Sequence, residues 1–232
     1  MRLPPLHRGT LLRRYKRFLA DVAFDDGREE TVHCANPGSM LGLATPGLTV
    51  WTSHSDAKTR KLPHTLELVK ADGAMVGVNT LLANRLVAEA LAEERIPELG
   101  GYAQVRAEVK YGERSRVDFL LSSPDAGRQA WVEVKSVTLS RQAGLAEWPD
   151  SVSSRSVQHL RELTARIEQG DRAVLLFVTQ RGDCDRFAPA ADLDPAFAKA
   201  LGEAEAAGLE VLVYACRVSP EEIAVSHPLA RA

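Results

Sequence analysis

The sequence has little cysteine and no long apolar run. Its three cysteines, Cys34, Cys184 and Cys216, are far apart, odd in number and without C-x-x-C spacing, which argues against a disulfide framework and against a zinc knuckle. No stretch reaches the roughly 18 consecutive apolar residues that a membrane span requires, and the N-terminal residues lack the apolar run of a signal peptide. These absences predict a cytoplasmic protein with reduced thiols and no membrane partner.

Several common catalytic signatures are also missing. The sequence contains no glycine-rich phosphate loop, internal repeat or low-complexity segment. Its six histidines include no i, i+4 pair of the kind that binds zinc on a helix. Residues 38–42 read GSMLG, without the G-x-S-x-G order of a serine nucleophile. One histidine stands out, because His159 lies beside Gln158 and near Arg155, where it could contact a phosphate.

Basic residues are concentrated at the front of the chain. Residues 1–70 hold 11 Lys and Arg against 7 Asp and Glu, although the whole chain has a net charge of −2. This asymmetry favours a front module that binds a polyanion. Basic residues around a tyrosine suit phosphate contacts beside base stacking, although a merely basic solvent face has the same composition. The candidate nucleic-acid-binding residues are Arg13, Arg14, Tyr15, Lys16, Arg17, Lys58, Arg60 and Lys61.

The front of the chain reads as short strands. Residues 11–24 are interpreted as one half-buried strand whose inward side chains include Phe18, Ala20, Val22 and Phe24. Further strands are predicted at 30–34, 48–51 and 66–69, with turns rich in glycine between them. Strands of this length and spacing predict a small barrel over residues 1–76.

Residues 77–232 mix helices with strands. The order is typical of an α/β sandwich with helices on both faces of a sheet, so the whole chain is predicted as α/β (α+β overall). The predicted elements are a helix at 79–94, a three-stranded meander, a polar loop at 140–150, a helix at 154–169, a strand at 173–179, a helix at 195–207 and a strand at 209–216.

Two apolar runs in the meander carry charges that a core would exclude. Asp118 interrupts the first run, and Glu133 and Lys135 interrupt the second. Side chains alternate along a strand, so Glu133 and Lys135 face the same way, and predicted hairpins at 111–115 and 122–128 bring Asp118 beside them. Two carboxylates with an ammonium suit a divalent metal and a water held for attack on a phosphodiester. A weak ion pair on a solvated face is the alternative.

Seven blocks of sequence, spread in order over most of the chain, together carry a specific likeness. They are residues 14–22 (RYKRFLADV), 34–40 (CANPGSM), 65–69 (TLELV), 77–80 (GVNT), 115–121 (SRVDFLL), 132–139 (VEVKSVTL) and 159–163 (HLREL). These blocks closely resemble the sugar fermentation stimulation protein A family (SfsA). The resemblance implies an N-terminal OB-like barrel, a C-terminal PD-(D/E)XK nuclease-like domain, and a DNA-binding role linked to regulation of sugar metabolism in bacteria.

The resemblance also implies roles for single residues. It places the nuclease acids, which would hold Mg²⁺ or Mn²⁺, at Asp118 and Glu133, and the catalytic lysine at Lys135. The chain departs from the family pattern at residues 35–38 (ANPG) and at residues 155–159 (RSVQH), where the family's lysine is replaced. Many nucleases of this fold take a further Glu from their first helix, where this chain offers Asn84, Arg85 and Glu89.

Two functions therefore stay open on the sequence. One is a DNA-binding protein with a metal-dependent phosphodiesterase site at Asp118, Glu133 and Lys135. The other is a non-catalytic DNA-binding regulator of sugar metabolism that keeps the nuclease fold.

Overall fold

The computed structural model describes residues 1–111, 115–123 and 129–232. Its first sheet closes into a barrel. Its strands are β1 (Leu6–Tyr15), β2 (Leu19–Phe24), β3 (Glu29–His33), β4 (Thr49–His54), β5 (His64–Ala71) and β6 (Ala74–Gly77). Antiparallel pairs join β1 to β2, β2 to β3, β1 to β4 and β4 to β5, and a parallel contact between His33 and Thr65 joins β3 to β5. The predicted barrel is confirmed, and β6 extends it by pairing with β5.

The prediction of a single strand over residues 11–24 is wrong. The chain reverses between β1 and β2, where Lys16 and Arg17 have φ angles of +46° and +63°, as in the tight turns that connect antiparallel strands. Lysine and arginine rarely adopt this left-handed region, so the residues carry no turn signal. Phe18 leaves the turn 44% exposed instead of facing inward. Beyond the turn, the alternation predicted for Ala20, Val22 and Phe24 is confirmed, since all three are buried.

The second part of the chain mixes helices with strands. Its elements are α1 (Ala83–Ala92), β7 (Gln104–Tyr111), β8 (Ser115–Ser122), β9 (Ala130–Val137), β10 (Leu139–Gln142), β11 (Gly144–Trp148), α2 (Ser154–Glu168), β12 (Arg172–Thr179), β13 (Cys184–Pro189), α3 (Pro195–Ala206), β14 (Glu210–Val218), β15 (Ile223–Pro228) and β16 (Ala230–Arg231). The main sheet has the order β15-β14-β12-β9-β8-β7, in which β9, β12 and β14 run parallel.

Helices cover both faces of this sheet, as predicted. On one face, Leu86 and Val87 of α1 pack in a cluster with Val132 and Val134 of β9. On the other face, Leu160 of α2 and Phe197 of α3 pack with Trp131, Leu175 and Phe177. Residues of β9 therefore alternate between the two cores, which is the pattern of a strand buried on both sides.

The antiparallel pairing of β7 with β8 and of β8 with β9 confirms the predicted meander. The tips of its two hairpins, residues 112–114 and 124–128, lie outside the described residues. The polar loop predicted at 140–150 is wrong, because β10 and β11 pair there in a small sheet with β13 and β16. The charged residues of this segment led to the loop prediction. Two of them, Arg141 and Glu147, instead form a cross-strand ion pair at 2.6 Å.

The first helix begins one turn later than predicted. Asn79 caps a short 3₁₀ turn over Thr80–Leu82 by accepting the Leu81 N–H at 3.1 Å, and α1 follows directly. The division of the chain at residue 76 stays a prediction. Among the residues that the structure describes, no helix has the length and apolar character that crossing a membrane requires.

Candidate active site

The site begins where β8 and β9 separate. Their backbone pairing ends at Phe119 and Val132, so the next residues, Asp118 and Glu133, stand at the opening of the gap. In place of a backbone carbonyl, the Asp118 Oδ2 atom accepts the N–H of Val134 at 2.7 Å. The separated strands thus leave one carboxylate fixed between them and another beside it.

The first helix supplies the second support of Asp118. Asn84 Nδ2 donates to Asp118 Oδ1 at 2.7 Å. Of the three candidates on this helix, Asn84 is therefore the one that reaches the site. Glu89 instead forms an ion pair with the Met1 amine, and Arg85 lines a different cavity. The helix contributes an amide where a further carboxylate was the alternative.

Glu133 lies almost fully buried, with 3% of its surface exposed. Its Oε1 atom accepts a hydrogen bond from Lys135 Nζ at 2.7 Å and another from His159 Nδ1. Its Oε2 atom is buried and has no hydrogen-bond partner among the described residues. A buried acceptor without a partner is costly in a native protein, which makes this oxygen a candidate contact for a ligand.

His159 lies behind the acidic pair, on α2. Arg155 Nε donates to His159 Nε2 at 3.2 Å, so Nε2 serves as the acceptor and Nδ1 carries the proton that Glu133 accepts. Lys135 Nζ lies 3.3 Å from Nδ1, because both groups donate to the same oxygen of Glu133. The sequence placed Arg155 and His159 near the site, but it gave no reason to connect them to Glu133.

The two carboxylates have opposite pKa shifts. Burial raises the pKa of Asp118 above its usual value, and the negative charge of Glu133 raises it further. Burial also acts to raise the pKa of Glu133, but the hydrogen bond from His159 and the positive charge of Lys135 outweigh it and leave that pKa below its usual value. The surroundings therefore favour the ionised form of Glu133 more than that of Asp118.

The donor set suits a hard divalent cation. Mg²⁺ is commonly held by one or two carboxylates while its other ligands are waters and substrate phosphates. Asp118 and Glu133 provide two such carboxylates, and Glu133 Oε2 is an unused acceptor. Among the described residues, no group of three or more His, Cys, Asp or Glu side chains could hold a metal ion. A cation here would keep open positions, as a catalytic metal requires.

A cleft of about 420 Å³ lies beside the two carboxylates, and it is lined by residues that they contact and not by the carboxylates themselves. Asn84 and Lys135 line it from the α/β part of the chain, and Arg17, Asn36 and Gly38 line it from the barrel. Arg17, which the sequence assigned to nucleic-acid binding, thus shares one cleft with Lys135. The other wall is the segment 147–153, which begins at the end of β11.

Hydrogen bonds fasten the barrel to the segment at 150. Ser39 Oγ donates to the Asp150 carbonyl at 2.7 Å, and the Met40 N–H donates to Asp150 Oδ2 at 2.9 Å. Gly38 lies so close that a Cβ atom on it would stand 2.4 Å from both Asp150 carboxylate oxygens. We name these contacts of Gly38, Ser39 and Met40 with Asp150 the latch.

The latch leads to a stability prediction. Gly38→Ala is expected to lower the free energy of unfolding by about 1–3 kcal/mol, because the new methyl group displaces Asp150. Gly202→Ala is the matched control, since Gly202 lies in α3 with no atom within 4 Å of its would-be Cβ, and it should gain about 0.5–1 kcal/mol from reduced chain entropy. Urea unfolding of both variants measures the difference. Equal stability of Gly38→Ala and wild type would show that the latch accommodates the new methyl group without a loss of stability.

Comparisons with known proteins match both parts of the chain. The model of the SfsA N-terminal OB domain matches residues 12–78, and that of the sugar fermentation stimulation protein RE domain matches residues 81–222. The chain belongs to the sugar fermentation stimulation protein family. It is 53% identical to the homolog of Caulobacter vibrioides, over 97% of this chain and 95% of the relative. It is 54% identical to that of Rhodospirillum centenum, over 99% and 98%.

A solved relative has the same architecture. The structure of Pyrococcus furiosus SfsA in complex with Ca²⁺ has a TM-score of 0.89 and 27% sequence identity, and covers 100% of this chain and 98% of that one. The predicted fold, an N-terminal OB barrel followed by a restriction-endonuclease-like α/β domain, is confirmed.

Two of the predicted basic residues of the OB domain are engaged in contacts within the protein. Arg13 pairs with Asp21 at 2.6 Å and lies over the ring of Tyr15, whose hydroxyl also donates to Asp21. Arg14 donates to the backbone carbonyls of Arg17 and of residues 36, 38 and 39 at 2.8–3.1 Å. Its guanidinium is thus occupied in holding the loop that carries the latch.

The other predicted basic residues lie in two loops. Lys16 and Arg17 form the exposed β1–β2 turn, and Lys58, Arg60 and Lys61 lie exposed between β4 and β5. These are the two loops with which OB folds commonly bind oligonucleotides. Arg60 also donates to Thr65 at 2.6 Å. Phe18, which the sequence assigned to the core, joins the first loop as an exposed ring.

Proposed function

We propose that this chain is a nucleic-acid-binding phosphodiesterase of nuclease type, that DNA is its partner, and that Mg²⁺ or Mn²⁺ binds at Asp118 and Glu133. The observation that carries the proposal is the separated strand pair, which holds two carboxylates directly behind the cleft residues Asn84, Val134 and Lys135. The Ca²⁺ complex of the Pyrococcus furiosus relative supports a divalent cation. Metal-dependent hydrolysis of labelled DNA, stopped by a chelator, tests it.

The chain's own residues divide the work. A bound divalent cation supplies charge neutralisation at the scissile phosphate and a water of lowered pKa. Asp118 and Glu133 hold that cation, and Asn84 and the Val134 N–H keep the Asp118 carboxylate in place. Lys135 orients the attacking water and stabilises negative charge as it develops on the phosphate. His159, fixed by Arg155, holds Glu133 so that its Oε2 atom stays available.

One observation favours the rival function, a non-catalytic DNA-binding regulator of sugar metabolism. Glu133 Oε1 already accepts from Lys135 and His159, so part of its charge is compensated without a cation. A cluster of this kind can survive as a structural element of a binding protein. In this alternative the charged cluster is kept for binding, and the protein would bind DNA and would not cleave it.

Electrostatic binding by the β1–β2 turn leads to a salt-dependence prediction. Each neutralised phosphate releases counterions, so changing Lys16 and Arg17 together to Ala is expected to flatten the slope of log K against log salt by about one unit for each phosphate that is no longer neutralised. Arg8→Ala is the control, since Arg8 is an exposed arginine of β1 near Asp25, 3.5 Å away. Gel-shift titrations at several salt concentrations, without metal, measure both slopes. Equal slopes for wild type and both variants would show that the DNA-binding surface does not include this turn.

We also propose that the protein works in the cytoplasm. All three cysteines are buried free thiols, which is the usual state of cysteine in a reducing compartment.

A further inference from the structure

The structure contains a second cleft, of about 460 Å³, apart from the one beside Asp118. Three arginines line it, Arg2, Arg60 and Arg85, and we name it the arginine cleft. No residue lines both clefts. We propose that the arginine cleft binds the phosphate group of a nucleotide. This inference goes beyond the proposed function, because it requires no hydrolysis at Asp118.

Three parts of the chain meet at the arginine cleft. Arg2 belongs to the N-terminal segment, which the Leu3 N–H fastens to the Glu221 carbonyl at 2.8 Å. Arg60 belongs to the loop between β4 and β5, and Arg85 to the first turn of α1. Residues 79, 81, 82 and 85 line the arginine cleft, whereas residues 80, 83 and 84 line the cleft beside Asp118. The two clefts therefore lie on different faces of this segment.

The three arginines of the cleft keep their charge available for a ligand. Among the described residues, Arg2 and Arg85 form no ion pair, and Arg60 has one side-chain hydrogen bond, to the Thr65 hydroxyl at 2.6 Å. A guanidinium without a carboxylate partner attracts anions, and its planar fork matches a phosphate with two parallel hydrogen bonds. The arginines thus provide the donors that a phosphate requires.

Glu67 is the one carboxylate among the described residues of the lining. It is 6% exposed, and its two oxygens accept hydrogen bonds from Ser53 Oγ at 2.6 Å and from Asn79 Nδ2 at 2.8 Å. It forms no ion pair with the arginines and takes no part in the proposed binding. The lining therefore keeps an excess of positive charge.

The apolar part of the lining indicates what carries the phosphate. Leu3, Ala35, Leu81 and Leu82 lie in the same cleft, and Leu81 is 70% exposed. The volume of about 460 Å³ is in the range of about 300–1,000 Å³ that small organic ligands occupy. A nucleotide matches this lining, because its phosphate would contact the arginines while its base lies against the leucines.

Calorimetry with adenosine monophosphate tests the proposal, with a chelator present so that no metal binds at Asp118 and Glu133. Wild type is expected to bind adenosine monophosphate and to bind adenosine, which lacks the phosphate, about tenfold or more weakly. Arg85→Ala should weaken binding of adenosine monophosphate by about tenfold, the effect of removing one hydrogen bond to a charged group. Arg85 is exposed on a helix, where alanine is favourable, so the fold should survive.

Arg217→Ala is the matched control. Arg217 is exposed on β14, forms no ion pair among the described residues and does not line the arginine cleft. Its removal takes away the same charge and should leave the affinity for adenosine monophosphate as in wild type. No binding of adenosine monophosphate, adenosine bound as tightly, or equal affinity of Arg85→Ala and wild type would overturn the proposal.

Competition with DNA separates the two sources of such a nucleotide. The probe is a labelled single strand of about 20 nucleotides, longer than the site of about 4–16 nucleotides typical of an OB fold. Displacement of the strand by adenosine monophosphate would assign the cleft to a nucleotide within a nucleic acid, and binding of both together would assign it to a free nucleotide. Both results support the arginine cleft. A failure to hydrolyse DNA would refute the proposed function and leave this inference standing.

Discussion

Glu133→Gln is expected to abolish hydrolysis of DNA and to lower the affinity for Mn²⁺ by at least about 100-fold. Groups that merely support a metal ligand already cost about 10–100-fold when they are removed, and Glu133 is assigned here as a ligand. Glutamine keeps the shape of the side chain and one acceptor oxygen for Lys135 and His159, so the fold should survive. Isothermal titration calorimetry with Mn²⁺ and a cleavage assay measure the two effects.

A second buried glutamate provides the control for Glu133→Gln. Glu67 is 6% exposed and accepts hydrogen bonds from Ser53 and Asn79, outside the cleft beside Asp118. Glu67→Gln should leave Mn²⁺ affinity and hydrolysis as in wild type. Unchanged Mn²⁺ binding in both Glu133→Gln and Asp118→Ala would mean that the proposed metal site does not exist.

Lys135→Ala is expected to reduce hydrolysis by about 10²–10³-fold while Mn²⁺ binding stays nearly intact. The reason for the slower reaction is that an ammonium aimed at developing charge stabilises the transition state, and removing such a donor typically costs that factor. Metal binding should not suffer, because Lys135 donates to Glu133 and holds no cation itself. Without the lysine, the negative charge of Glu133 is less compensated, which favours binding of the cation. Single-turnover rates and calorimetry separate the two quantities.

The control for Lys135→Ala is Lys199→Ala. The side chain of Lys199 is 79% exposed on α3, so Lys199→Ala tests whether the loss of any positive charge slows cleavage. We expect the cleavage rate of Lys199→Ala to equal that of wild type. A decrease of Mn²⁺ affinity in Lys135→Ala as large as in Asp118→Ala would contradict the separate roles given to lysine and carboxylates.

The grouping of Asp118, Glu133 and Lys135 could be predicted because it depends on local rules. Charges within apolar strands stand out, and alternation along β9 places Glu133 and Lys135 on one face. The partners of these residues lie on helices distant in sequence. The contacts of Asn84 with Asp118 and of His159 with Glu133 span 34 and 26 residues, and no periodicity in the sequence encodes them.

The errors in the barrel have a different cause. The turn at Lys16 and Arg17 has positive φ angles without glycine or asparagine, so turn chemistry gave no signal. The sequence predicted Arg14 to contact a phosphate because the charge of Arg14 is evident from the sequence. The backbone carbonyls to which Arg14 donates cannot be recognised there. Tertiary contacts thus decide which basic residues remain available for a ligand.

Cleavage of labelled DNA with Mn²⁺, offered both as a single strand and as a duplex to wild type and to Asp118→Ala under single-turnover conditions, tests the central claim most directly. Asp118 is held at the strand gap by Asn84 and the Val134 N–H, and the proposed chemistry requires its carboxylate. We expect wild type to cleave with Mn²⁺ and to stop when a chelator is added, and Asp118→Ala to be inactive while still binding DNA. Equal cleavage by both proteins, or none by wild type with Mn²⁺ bound, would contradict a phosphodiesterase at Asp118, Glu133 and Lys135.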